Sequence, residues 1–323
     1  MRKTALMRAA AFAAIAAASL PLPANAQFDE ALEETDADVI VVTAQKREQR
    51  AQDVAASLDV LTAAALENAR LLDIADLASG IAGLDMAEFA DGQYRLAYRG
   101  IGATGTSDNQ NFSTAIDGVI APYNNTYRLL DVERVEVLKG PQGTLYGKNT
   151  IGGAVKYVTR GLSDVPEFKG RAALGSYNQK DLTLTTSLPI ADTFRVGGSL
   201  AILTRDGFGT NLNTGQENYN KQVTAGRISA EWDVTPDFDL KFAADAIRDT
   251  SAPRQGHRLI PDQLPPFTYP VLGDVFDTRA GLNVVQQESE GYGLSLVGEF
   301  RLNDTITLKN ILAYRQDEST TPI

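Results

Sequence analysis

Residues 138–153 read LKGPQGTLYGKNTIGG, with five glycines and a Gly147–Lys148 pair in sixteen positions. Those residue types suggest a loop whose backbone amides cradle phosphate. A phosphate loop needs a glycine with four residues between it and the Gly–Lys pair, and Gln142 stands there. It also needs Ser or Thr after the lysine, where Asn149 is found, and Pro141 removes a backbone donor. A strand pattern precedes the stretch (Glu133–Leu138, with Val135 and Val137 alternating). No helix pattern follows, and IGGAVKYVTR returns as a strand. A second glycine pattern, Gly100, Gly102 and Gly105, fits G-x-G-x-x-G, but polar SDNQNFS follows where a dinucleotide fold requires a helix. Tight turns and close packing, against a barrel wall in particular, account better for Gly140, Gly143, Gly147, Gly152 and Gly153.

The remaining chemistry is thin. The 323 residues contain no cysteine, which excludes thiol catalysis, a disulfide framework and Cys-ligated metal. A single histidine, His257, argues against a His-rich metal site or a Ser-His-Asp triad and reads as a loop residue. No metal, cofactor or catalytic residue is expected. A net charge of -11 argues against nucleic-acid binding, whose affinity comes from neutralising phosphates.

The elements that must position these residues fall into zones. Arg2, Lys3 and Arg8 precede an apolar run, Ala9–Leu20, and then Pro21, Pro23 and Ala24-Asn25-Ala26. That order predicts a cleaved export signal over 1–26. No other stretch has the roughly 20 apolar residues of a spanning helix, so membrane contact must be through a β-barrel or at the surface. Residues 27–53 hold an uncharged β-prone strip, Val39–Ala44, between polar segments. It reads either as an unpaired strand offered to a partner's sheet or as the first strand of the next domain. Residues 54–161 read as an α+β module. Strands are expected at Ser57–Leu61, Tyr94–Arg99, Ser113–Ile116, Val132–Leu138 and Ala154–Thr159. Helices are expected from the Thr62 cap to Ala69 and over Asp73–Ala78, stopped by Gly80.

From residue 168 the pattern becomes two-residue alternation in seven segments, each long enough to cross a bilayer as a tilted strand. Tight turns at 191–192, 235–237 and 303–304 alternate with connections at 175–179, 206–220 and 249–288, which we read as the longer set. That asymmetry suits an outer-membrane barrel, and Tyr177, Phe208, Trp232, Phe238, Tyr292 and Tyr314 suit its aromatic girdles.

These residues resemble a known family. Asp38, Val39, Ile40, Val41, Val42, Thr43 and Ala44 resemble the TonB box of TonB-dependent outer-membrane receptors. Leu129–Arg160 is similar to the end of that family's plug, carrying Glu133, Arg134, Glu136, Gly140, Pro141, Gly143, Tyr146, Gly147, Gly152 and Gly153. Arg99-Gly100 and Asp117-Gly118 match elements that normally precede it. The resemblance implies an α+β plug domain (54–161) followed by an antiparallel transmembrane β-barrel. Here the barrel is an incomplete, open sheet of about seven strands (162–323), against about 22 in the family. At the same strand density an intact chain would have roughly 640 residues, so a partial sequence or a truncated gene is expected.

The function implied is energised uptake of a large scarce solute across the outer membrane, with a siderophore–iron complex among the candidates; it is not an enzyme. The box would engage a TonB-type inner-membrane energy-transducing protein, with Gln45–Asp53 as tether, and outer-membrane lipid would surround the barrel. Polar loops 102–112 and 121–127 offer Asn109, Asn111, Tyr123 and Tyr127 as ligand contacts. Alternatives are a passive porin-like barrel, a truncated non-functional fragment, and an exported nucleotide-dependent enzyme.

Overall fold

The computed structural model describes residues 40–69, 77–78, 80–88, 94–102, 112–121, 131–148, 150–252, 260–261, 271–279 and 288–320. The expected signal peptide and His257 lie outside these residues.

The first elements are short: β1 (Val41–Val42), β2 (Gln49–Arg50) and a 3-10 turn at Ala51–Asp53. A five-stranded sheet follows, built from β3 (Ser57–Thr62), β7 (Phe112–Ile116), β8 (Val119–Ile120), β9 (Val132–Lys139) and β10 (Gly153–Thr159). Its order is β3-β9-β10-β7-β8, with β10 parallel to β7 and the other neighbours antiparallel. Helix α1 (Ala63–Asn68) starts where expected, because the Thr62 side chain accepts a hydrogen bond from the Ala65 amide. Of the expected second helix, Leu77 and Ala78 are helical and 73–76 lie outside the described residues. Gly80 is itself helical rather than a stop. A three-stranded sheet of β4 (Leu84–Glu88), β5 (Tyr94–Tyr98) and β6 (Ile101–Gly102) completes the module.

β9 and β10 are buried on both faces. One cluster joins Val135, Val137, Val155 and Tyr157 to Leu66, Leu77, Leu84 and Phe112. The other joins Leu138, Ala154, Ala115 and Tyr146 to Val42 and Ala44. Between β9 and β10 lies one turn of helix, α2 (Gly143–Tyr146), where the sequence pattern suggests none. Four residues are too few to leave a 3.6-residue apolar period.

The last sheet has seven antiparallel strands in sequence order. They are β11 (Glu167–Gly175), β12 (Gln179–Ala191), β13 (Phe194–Arg205), β16 (Lys221–Thr235), β17 (Phe238–Asp249), β18 (Glu288–Asn303) and β19 (Ile306–Thr320). Between β13 and β16 the loop carries a small hairpin, β14 (Gly209–Thr210) with β15 (Glu217–Asn218). The connection at 175–179 is not one of the long ones. Gly175 pairs with Gln179, leaving a three-residue turn in which Tyr177 and Asn178 take left-handed φ.

The alternation along these strands is inverted relative to a soluble sheet. Leu188, Leu200 and Ile202 are about two-fifths exposed, while Ser187 and Ser199 on the opposite face are buried. Phe168, Ile190, Ile228, Leu308 and Leu312 are more exposed still. In water such a surface costs about 25 cal/mol per Å2 of apolar area, so this face is built to be covered, as the outer face of a transmembrane barrel is. Not every aromatic expected at a girdle sits in one. Phe208 stacks on Tyr219 with centroids 4.9 Å apart and meets Tyr177 and Phe276, forming a loop-end cluster instead.

Candidate functional site

The β-prone strip does not hang free. Asp38 and Val39 lie outside the described residues, and Ile40 and Val41 are exposed, but Val42 and Ala44 are buried in the second core cluster. β1 pairs antiparallel with β2, Val41 against Arg50 and Val42 against Gln49, and Ile40 O accepts from Ala51 N. The tether expected over Gln45–Asp53 therefore supplies the strip's own strand partner. Sequence reasoning counted only apolar residues as strand formers, and the polar pair Gln49-Arg50 forms its ladder through main chain alone.

Two strands of the core sheet position the groups that hold the strip. Glu136 of β9 and Lys156 of β10 are direct cross-strand partners. Both are buried, with Lys156 Nζ 3.7 Å from Glu136 Oε2. Glu136 Oε1 accepts from Thr43 N at 3.0 Å and from Arg134 Nε at 2.9 Å. Lys156 Nζ donates to Thr43 O at 2.8 Å and also contacts the Thr43 hydroxyl. Tyr146, delivered by α2, donates its hydroxyl to Ala44 O at 2.7 Å. Burial lowers the Lys156 pKa to about 8, against the upward pull of Glu136. Burial, and then the Glu136 charge, raises that of Tyr146. Lys46, in left-handed conformation at the turn after the strip, lies 4.7 Å over the Tyr146 ring and donates to Gly118 O.

Other expected plug positions occupy the turns around this centre. Arg99, Gly100, Asp117 and Gly118 all take left-handed φ, as do Gly140 and Gly147. Glu133 pairs with Arg134 at 2.7 Å. The excursion holding Pro141 and Gly143 is closed by Gly140 N to Gly152 O and Gln142 N to Thr150 O. Gly152 and Gly153 do not abut a barrel wall as expected. A Cβ on either would strike the Phe112 ring inside the module. A described glycine that does approach the wall is Gly118, where an added Cβ would lie 3.2 Å from Ile311 of β19. Asn109, Asn111, Tyr123 and Tyr127 lie outside the described residues.

The module is fastened to the large sheet by polar groups. Asp117 Oδ2 accepts from Thr159 Oγ1 at 2.8 Å and from Arg227 Nη2 of β16 at 2.9 Å. Arg227 also faces Asp245, which pairs with Arg315 at 2.7 Å. After residue 160 the chain is held by Leu162 N to Glu231, Ser163 N to Ser187 Oγ, and Asp164 to Arg195 at 2.7 Å. Sequence reasoning missed Lys156, Lys46 and Arg227. Lys156 carried a signal, since a lysine inside AVKYV must find a buried anion if both strand faces are covered. Arg227→Ala is expected to loosen the Asp117–Gly118 turn by about 2 kcal/mol, the usual cost of a lost hydrogen bond to a charged group. The measurement is amide exchange: Asp117 and Thr159 should speed up while the β13–β16 ladder keeps its protection.

A small mixed sheet that buries a charged pair, next to a sheet with its apolar face outward, is the arrangement of a plug domain beside transmembrane barrel strands. The TonB-dependent Receptor Plug Domain family matches residues 50–154. The chain is 30% identical over 234 residues to the pesticin receptor of Yersinia pestis, covering 70% of this chain and 34% of that protein. It is 26% identical over 216 residues to the vitamin B12 transporter BtuB of Vibrio cholerae, covering 64% and 33%. Its fold is that of the ferric yersiniabactin uptake receptor FyuA from Yersinia pestis. The TM-score is 0.72 at 22% identity, over 83% of this chain and 42% of that one. Residues 50–154 belong to the TonB-dependent receptor plug domain family, and the matched relatives are named as receptors and a transporter. The chain spans about a third of the length of the curated relatives it matches.

Proposed function

We propose that this chain is the plug-bearing part of an outer-membrane receptor that imports a large scarce solute, a siderophore–iron complex being the leading class. Uptake is energised by a TonB-type inner-membrane protein. In this reading residues 1–26 are an export signal, 27–53 a periplasmic segment, 54–161 the plug and 162–323 barrel wall. Asp38–Ala44 is the partner-binding box, and the loops with Asn109, Asn111, Tyr123 and Tyr127 contact the ligand.

The observation that carries the reading is the Val41–Thr43 strip, an uncharged strand moored to the plug by Val42 in the second core cluster and by polar contacts at Thr43. A partner that pulls needs a handle joined to the plug by main chain, and strand addition supplies one without demanding particular side chains. The relatives point to the solute class: one is named for pesticin, one transports vitamin B12, and one takes up ferric yersiniabactin.

Ile40→Pro tests this directly. Ile40 is exposed, so the plug core is spared, and its main-chain groups lie on the β2 edge, where Ile40 O accepts from Ala51 N, so the proline takes a backbone donor from that edge. Cells carrying it should bind ferric siderophore at the surface as wild type does but accumulate no iron. Uptake that survives the substitution would remove the box assignment and favour a passive porin-like barrel.

A further inference from the structure

A β-strand has two hydrogen-bonding edges, and successive residues direct their main-chain groups to alternate edges. In the Ile40–Thr43 strip both edges are engaged, by different means. The groups of Ile40 and Val42 face β2, where Ile40 O accepts from Ala51 N and Val42 pairs with Gln49. On the other edge, which carries the groups of Val41 and Thr43, the N–H and C=O of Thr43 are both taken by side chains, Glu136 and Lys156. A partner's strand therefore meets neither edge open along its length.

The two edges are not equally hard to open. Vacating the Thr43 edge strips a hydrogen-bond donor and an acceptor from two buried, mutually paired charges. Vacating the other edge requires only the displacement of two polar residues, one exposed and one half-buried, in a hairpin of two residue pairs. Isolated two-stranded hairpins are marginal in water. We propose that Gln49–Arg50 is an internal stand-in for the partner's strand. The energy-transducing protein engages the box by exchanging with β2 for the main-chain groups of Ile40 and Val42, while Glu136 and Lys156 keep hold of Thr43. This rests on the box reading above, and it adds the edge used and the segment that competes for it. β2 then sets the resting affinity for the partner, because the partner must overcome the pairing that β2 already supplies.

The test uses the full chain in detergent and the purified periplasmic domain of the host's TonB-type protein as probe. The chain has no cysteine of its own, so paired replacements are unambiguous. Val41→Cys with Arg50→Cys places thiols on register partners. Oxidation should close the β2 edge and abolish probe binding, and reductant should restore it. Gln49→Pro, which removes a ladder donor from β2 and leaves the box sequence intact, should bind the probe about tenfold more tightly, equivalent to about 1.4 kcal/mol. Equal binding by oxidised and reduced chains, or a proline variant no tighter than wild type, would overturn the stand-in role and assign the partner to the Thr43 edge. A synthetic peptide of residues 38–46, which lacks β2, separates the two readings. If it and the reduced chain both fail to bind the probe, the box assignment itself fails.

Discussion

Gly153→Ala should leave the plug unable to close, at a cost of about 4 kcal/mol or more, in the range reserved for overpacking combined with backbone strain. Gly153 has φ +150, and its Cβ would lie 2.3 Å from Leu138 O and 2.7 Å from the Phe112 ring. The carbonyl belongs to the β9–β10 ladder, where Ala154 pairs with Leu138, so it cannot retreat without breaking the centre of the sheet. Phe112 is buried in the first core cluster and has no room to swing aside. Gly143→Ala is the matched control, because nothing lies within 4 Å of that position. Protease resistance of the 54–161 segment, read in parallel for both variants, decides the matter. Similar resistance in the two would mean the close approach does not govern the fold.

Lys156→Met should have the second large effect, about 3–5 kcal/mol, since it leaves the buried Glu136 carboxylate with Arg134 as its remaining cationic partner. It also deprives Thr43 O of its donor, so the strip should loosen along with the sheet. Adding Glu136→Leu should recover much of the stability but not the mooring, because the charge problem disappears while Thr43 keeps neither contact. Denaturant midpoints give the first quantity, and thiol labelling of a Val42→Cys reporter gives the second. The pH dependence follows from the lysine. Its folded pKa of about 8 lies below its ordinary value of 10.5, so between those pH values the unfolded chain holds more protons. Wild-type stability should therefore gain from this group as pH rises from 8 to 10.5, and below 8 the group contributes no slope. Lys156→Met should lack that rise.

The sheet strands of the plug and the seven wall strands were legible because their periods are long and regular. Phe238, Leu240 and Phe242 against Asp239 and Lys241 state both the strand and its two environments. What stayed hidden was decided by main chain or by distance. Gln49 and Arg50 pair as a strand with no apolar signal, α2 is a single turn, and β4 at Leu84–Glu88 has too short a pattern to separate from loop. Gly152 and Gly153 announced a close approach but not its object, which is Phe112, forty residues earlier in the chain. The Glu136–Lys156 centre lay in plain view as two charges inside apolar strands, yet only the structure shows that they face each other across β9 and β10 and that both hold Thr43 of the strip.

The seam between plug and wall has a mechanical consequence. Among the described residues it is held by Asp117 with Arg227, Leu162 N with Glu231, Ser163 N with Ser187 and Asp164 with Arg195, groups that water satisfies nearly as well as protein does. Gly118 lets the plug backbone approach Ile311 of the wall closely, since a Cβ there would lie 3.2 Å from it. Moving the plug along the wall trades one set of hydrogen bonds for another instead of tearing apolar surface into water. Under the proposed pull on the strip, such a joint acts as a lubricated bearing more than a glued one, and the work goes to the plug's mooring more than to friction against the wall.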